Sequence, residues 1–232
     1  MIYYIVFLHL CLLAFYGLYR WQFESLPHFK LNRLFLLSIP VLCLLIPLAE
    51  WSVPAGIEDE IYSWTHDYWE PIEESLAFSE GSSPQHKSPI DWPQIILSIY
   101  ALGMFWHLLK SLRIWQVAFQ VLRHQENQHS LQKDLYLSPE LAFSCTFFRK
   151  IYLGQDYLSL PAAERQYLLA HEQEHARLGH SWDLLFLHLF KIIAWCNPLS
   201  QKLILSAQNI HEFQADQIAA PTPTDFSRYT RL

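Results

Sequence analysis

The sequence predicts a mainly α-helical membrane protein: three N-terminal transmembrane helices, then a mostly helical domain with a few short strands. Three observations predict it. Charged residues make up only 16% of the chain, against about 25% in a soluble domain, while hydrophobic residues reach 52%. Three apolar runs precede the middle of the chain, at 2–19, 34–49 and 95–109. Beyond them the pattern turns to short apolar stretches, and then to a helical pattern from Pro161. A length of 232 residues fits one or two domains. The expected division is a membrane region over 1–123 and a second domain over 124–232.

The first run is closed by Arg20 and has neither a basic leader nor a small-residue cleavage site, so it reads as a retained membrane helix. The second, with Pro40 and Pro47 inside it, extends to Trp51 and predicts a helix over about 34–51. The third, with Trp92 as an interface anchor, predicts a helix over about 92–112 that can run on toward Arg123. Prolines in the second run fit lipid, where neighbouring helices tolerate kinks. Arg20, Lys30 and Arg33 separate the first two runs, and Lys110, Arg113 and Arg123 follow the third. From Trp51 to Pro93 there are nine acids and one base, Lys87. Positive flanks stay cytoplasmic. The N-terminus and the acidic loop 52–91 are therefore expected outside, and the chain beyond Lys110 in the cytoplasm. That loop, with Tyr62, Trp64, Tyr68 and Trp69, reads as a solvated segment touching the headgroups.

Gln125 to Lys133 reads as a polar connector, and Leu135 to Leu153 as two short strands. Ser159 is a plausible cap for the helix that follows, and Pro161 falls in its first turn, where a missing N–H costs nothing. Trp182 to Cys196 is an apolar helical run stopped by Asn197-Pro198. The four cysteines, Cys11, Cys43, Cys145 and Cys196, show no C-x-x-C spacing and read as free thiols. The net charge of −6 argues against nucleic acid as a partner.

Chemistry concentrates in Ala170-His171-Glu172-Gln173-Glu174-His175, an H-E-x-x-H on an expected helix. Residues four apart share a helical face, so both imidazoles can meet one metal ion with Glu172 beside them. The set suits zinc, which in a catalytic site takes three protein ligands and leaves one position open. Zinc would bring the pKa of water toward about 7, with Glu172 as general base. Candidates for the third ligand are His180, Asp183, His188, His211, Glu212 and Asp216. A helix from Trp182 to Cys196 is about 22 Å long, and Leu199 to Glu212 returns about 21 Å. A helical hairpin would thus bring Glu212 back to the H-E-x-x-H helix, with Asp216 one turn on. Glu212 is then the third ligand, and Asp216 accepts a hydrogen bond from a ligand histidine. His180 reads as a supporting residue, His188 as a core histidine, His211 as an exposed neighbour of Glu212, and Lys191 as placed to snorkel. Whether the hairpin enters lipid stays open at this point.

With His171-Glu172-x-x-His175, Trp195-Cys196-Asn197-Pro198 and His211-Glu212-Phe213-Gln214-Ala215-Asp216 in hand, the sequence resembles the BlaR/MecR-type antirepressor metallopeptidases, integral-membrane gluzincins of bacteria. Ala142-Phe143-Ser144 and Leu153 resemble the segment leading into that family's catalytic helix. The resemblance covers about 135–220 in detail and the upstream helices in layout only. It implies a gluzincin-type zinc peptidase in the bacterial cytoplasmic membrane, cleaving itself or a cytoplasmic regulatory protein on an outside signal. By position it implies His171, His175 and Glu212 as zinc ligands and Glu172 as base. Expected partners are a cytoplasmic protein substrate and the bilayer, with a homodimer left open. The segment around Phe143 to Tyr152 is expected to bind substrate as an added strand. The family usually has a further membrane helix and often a sensor after its catalytic part. Here Asp225 to Leu232 reads as the start of one more helix, and the missing input bears on regulation. The competing readings are a non-catalytic membrane scaffold that keeps zinc for folding, and an inactive truncated relative.

Overall fold

A computed structural model describes residues 2–48, 92–128 and 130–219. The acidic loop, Trp51 and the segment from Asp225 to Leu232 lie outside the described residues. Helix α1 (Ile2–Leu18) ends in a π-helical turn (Tyr19–Phe23). Helix α2 (Phe29–Leu45) follows and ends in a 3-10 turn (Ile46–Leu48). Helix α3 spans Trp92–Gln128. Four short strands come next: β1 (Ser130–Gln132), β2 (Leu135–Leu137), β3 (Cys145–Phe147) and β4 (Lys150–Leu153). The described chain closes with α4 (Gln155–Ser159), α5 (Ala162–Leu178), α6 (His180–Ile193) and α7 (Pro198–Ala219).

Among the described residues, three helical stretches are long and apolar enough to cross a membrane: Tyr3–Phe23, Phe29–Leu48 and Trp92–Gln125. Several element bounds differ from expectation. Helix α2 begins at Phe29 rather than near residue 34, because Lys30 and Arg33 are good helix formers on a polar approach to the apolar run. Helix α3 runs unbroken past Arg123 to Gln128, so of the stretch read as a connector residues 125–128 are helix and 130–132 are strand. No glycine or proline interrupts 104–128, and Gln, Arg and Glu extend a helix readily. At about 55 Å it outruns the roughly 30 Å hydrocarbon core. Leu135 to Leu153 holds three strands rather than two. Ser159 does not cap α5; its hydroxyl donates to the Asp156 carbonyl (2.8 Å), and Pro161 itself occupies the cap position.

The sheet order is β1-β2-β4-β3. β2 and β4 are parallel, while the β1–β2 and β3–β4 pairs are antiparallel. β3 is thus an edge strand, and it packs against α5. Asp156 pins its approach by accepting from the Ser144 N–H (2.8 and 2.9 Å) and hydroxyl (2.7 Å). The β3–β4 turn puts Phe148 at φ 57°, held by its N–H on the Ser181 hydroxyl (2.9 Å) and its ring on Trp182 (4.6 Å). The C-terminal half of α3 meets the β3–β4 hairpin through Phe119 on Phe147 (5.3 Å).

The core crosses the division expected at residue 123. Leu8, Leu12 and Tyr16 of α1 and Leu36, Ile39 and Cys43 of α2 form one buried cluster with Leu187 and Phe190 of α6 and Leu203, Ala207 and Ile210 of α7. Their spacings of three and four give each helix one inward stripe. In lipid, apolar burial does not itself drive helices together, so close packing and polar ties matter more. Such ties are present: the Tyr16 and Ser206 hydroxyls lie 3.1 Å apart, and the Tyr4 hydroxyl donates to the Leu44 carbonyl (3.0 Å). Lys191 donates to Gln201 of α7 (2.6 Å).

The α6–α7 hairpin turns at Ala194 to Asn197, and its tip lies against the middle of α1 and α3. His9 approaches Cys196 (3.2 Å) and Asn197 (3.4 Å), and Tyr100 donates to the Ile193 carbonyl. Gly103 of α3 faces the Trp195 ring so closely that an added Cβ would sit 2.3 Å from it. Gly103→Ala is therefore expected to destabilise the chain by about 1–3 kcal/mol through overpacking, with Trp195→Phe restoring part of the loss. Thermal unfolding in detergent checks this; an unchanged midpoint for Gly103→Ala would mean that α3 does not pack on the tip.

Candidate metal centre

The turn between α5 and α6 builds the site. Gly179 adopts φ 71°, a left-handed conformation that costs a glycine nothing, and its N–H bonds the His175 carbonyl (3.1 Å). The chain therefore reverses within one residue, and His180 at the start of α6 swings back onto His175. Helix α7 then returns between α5 and α6 and carries Glu212 to the face holding His171 and His175.

The structure brings His171, His175 and Glu212 together, with one ligand atom of each within 4.8 Å of the others. His171 Nε2 and His175 Nε2 are 3.0 Å apart. Glu212 Oε2 is 3.3 Å from His171 Nε2, and Glu212 Oε1 is 3.8 Å from His175 Nε2. A tetrahedral zinc with bonds of about 2.0–2.1 Å needs ligand atoms roughly 3.3 Å apart, so the spacing fits. The other ring nitrogens are engaged elsewhere. His171 Nδ1 lies 3.0 Å from Asp216 Oδ1, and His175 Nδ1 lies 2.8 Å from His180 Nδ1. Two Nε2 atoms facing each other need a proton or a cation between them.

Electrostatics point the same way. Burial presses the His171 pKa down, but hydrogen bonds to Asp216 and Glu212 and the charges of Glu172 and Glu212 outweigh it and raise it to about 9. Burial, with the neighbouring His171 and His211, lowers His175 to about 4 against the pull of Glu212, which keeps its lone pair free. The His171 hydrogen bond holds Glu212 below the usual carboxylate range, so it stays ionised. The site thus stabilises one positive charge. A metal ion must displace the His171 proton at any pH below about 9. Zinc affinity is therefore expected to rise about tenfold per pH unit between pH 6 and 9 and then to level off. Chelator competition across that range measures it, and a flat profile would show that no proton leaves on binding.

Glu172, 7% exposed, opens onto the same cleft of about 370 Å³. Burial raises its pKa, and the Thr146 hydroxyl partly offsets this. Thr146 Oγ1 on the edge strand β3 is 2.7 Å from Glu172 Oε2 and 2.9 Å from its carbonyl. Cys145 also lines the cleft; burial and the charges of Glu172 and Asp156 push its thiol up to about 11, which favours the protonated form at neutral pH.

Two positions differ from expectation. His211 is not an exposed neighbour of Glu212. It is 2% exposed, with its ring stacked on His180 (4.0 Å) and its Nε2 on Asp183 (2.9 Å). Asp183 stays outside the ligand cluster; burial pushes it up, but hydrogen bonds from His211 and Arg33 outweigh this and hold it ionised. Thr146 went unnoticed in the sequence, where a lone threonine on a strand of three residues carries no signal. No protein-family model matches the chain, and no curated protein matches it.

Proposed function

We propose that this chain is a membrane-embedded zinc metalloendopeptidase of the BlaR/MecR type, cleaving a cytoplasmic regulatory protein or itself. The observation that carries the reading is the set of His171 Nε2, His175 Nε2 and Glu212 around one point. The buried, non-ligating carboxylate of Glu172 opens onto the same cleft. A purely structural zinc site has four closed protein ligands and no need of such a base.

His171, His175 and Glu212 would hold the ion, whose Lewis acidity acidifies water and polarises the scissile carbonyl when it is bound. Glu172 takes the proton of the attacking water and delivers it to the leaving amine. Thr146 keeps that carboxylate aimed into the cleft. The free edge of β3 gives an extended peptide a strand to pair with beside Glu172. In a bacterial inner membrane, with the N-terminus outside by the charge of the flanks, the site opens toward the cytoplasm. The α6–α7 hairpin is then a re-entrant element, its polar tip held by His9 and Tyr100, to whose carbonyl Trp195 donates, rather than by lipid.

Metal analysis and proteolysis on the detergent-purified full chain test the reading. The expected result is about one zinc per chain and chelator-sensitive cleavage of the chain itself or of a peptide library. Zinc without any cleavage would turn the reading to a scaffold. No zinc at all would remove the ligand set and the enzyme with it.

A further inference from the structure

We propose that Arg33, on the membrane helix α2, is a positioning residue for the metal site, acting on His175 through Asp183, His211 and His180. The inference rests on the reading of His171, His175 and Glu212 as a metal site.

The guanidinium of Arg33 donates from Nε to Asp183 Oδ2 (2.6 Å) and from Nη2 to the Leu178 carbonyl (2.8 Å). Leu178 is the last residue of α5, the helix that carries both histidine ligands, and its carbonyl is among those with no intrahelical donor. One rigid fork therefore ties the end of the ligand helix to the first turn of α6, which a flexible ammonium cannot reproduce. The pair is mostly shielded, with Arg33 and Asp183 side chains 19% and 11% exposed.

From Asp183 the chain of contacts continues to the metal site. His211 donates from Nε2 to the same Asp183 oxygen (2.9 Å), and its ring lies flat on His180 (4.0 Å, 9° between planes). His180 accepts at Nδ1 from His175 Nδ1 (2.8 Å) and donates from Nε2 to Gln214 Oε1 (3.2 Å). A single assignment of protons satisfies every link: His175 carries its proton on Nδ1, which leaves Nε2 as a lone pair facing His171 and Glu212. The orientation of a ligand imidazole is set by the partner of its other nitrogen. Here that partner is fixed by a stack whose base is held from α2. A displacement of α2 against α6 is felt at His175 through fixed contacts.

The test uses the full chain in detergent, as wild type, Arg33→Gln, Arg33→Lys and Asp183→Asn. Zinc affinity is read by chelator competition, ligand geometry by the absorption spectrum of the cobalt(II)-loaded protein, and fold by unfolding of the metal-free form. Arg33→Gln and Asp183→Asn are expected to weaken zinc binding about 10–100-fold and to shift the cobalt bands. Arg33→Lys, which reaches one acceptor but not both, is expected to fall between them and wild type. If Arg33→Gln does not fold, Asp183→Asn and Arg33→Lys carry the same expectation. Wild-type zinc affinity and an unchanged cobalt spectrum in the folded variants overturn the proposal, even where the metal-free form is less stable, and make Arg33 an architectural bolt. Failure of the wild type itself to bind zinc or cobalt is a different result: it removes the metal site first and this inference with it.

Discussion

Replacing Glu172 by Gln is expected to leave about one zinc per chain and to lower cleavage about 10²–10⁴-fold, the range a positioned general base contributes. The substitution keeps the shape of the side chain, and its amide oxygen still accepts from the Thr146 hydroxyl, now 2.7 Å from Glu172 Oε2. What it removes is the capacity to take a proton. Glu172 lies outside the group formed by His171, His175 and Glu212, so the metal should not notice the change. Its pKa is already raised by burial, which moves it toward the range where a carboxylate both accepts a proton from water and gives it up again. Metal analysis and cleavage rate on one preparation decide the matter. Loss of zinc would make Glu172 a ligand, and cleavage at the wild-type rate would place the base elsewhere.

Glu212 and Asp216 are expected to separate in the opposite sense. Both are acids on one face of α7, one turn apart, yet they meet different nitrogens of the same imidazole. Glu212 lies 3.3 Å from His171 Nε2, and Asp216 lies 3.0 Å from His171 Nδ1. Glu212→Ala removes a donor from the ligand set and should abolish stoichiometric zinc after dialysis. Asp216→Asn keeps an acceptor for the His171 N–H but loses the charge behind it, which should weaken zinc about 10–100-fold without emptying the site. Chelator competition on the two variants reads the difference directly. Equal losses would mean that the roles of the two carboxylates are not distinct, and a larger loss for Asp216→Asn would exchange them.

Local patterns were legible in the sequence because their physics is local. His171 and His175 share a face wherever the segment is helical, and Asn197-Pro198 ends a helix whatever surrounds it. Even Glu212 could be placed, since a helix of known rise leaving and returning about equal lengths must bring its ends together. The three apolar runs declared their helices for the same reason, although α3, at 37 residues, is longer than its apolar run: the apolar pattern stops while the helical backbone does not.

What the sequence by itself determined is thus a mostly helical chain with a few short strands, its apolar helices and the residue types that come together at a possible metal site. Only the tertiary structure decided what surrounds them. Arg33 meets Asp183 across 150 positions and Thr146 meets Glu172 across 26, distances over which no periodicity carries information. His211 reads as exposed from the sequence because neighbouring helical residues point in directions about 100° apart, so turning Glu212 to the H-E-x-x-H helix turns His211 away from it. Packed against α5 and α6, α7 uses both directions: Glu212 and Asp216 turn to His171 on the open side, and His211 and Gln214 turn to His180 in the interior. Side-chain partners of this kind are chosen by which surfaces meet, and that choice is made by packing rather than by any segment alone.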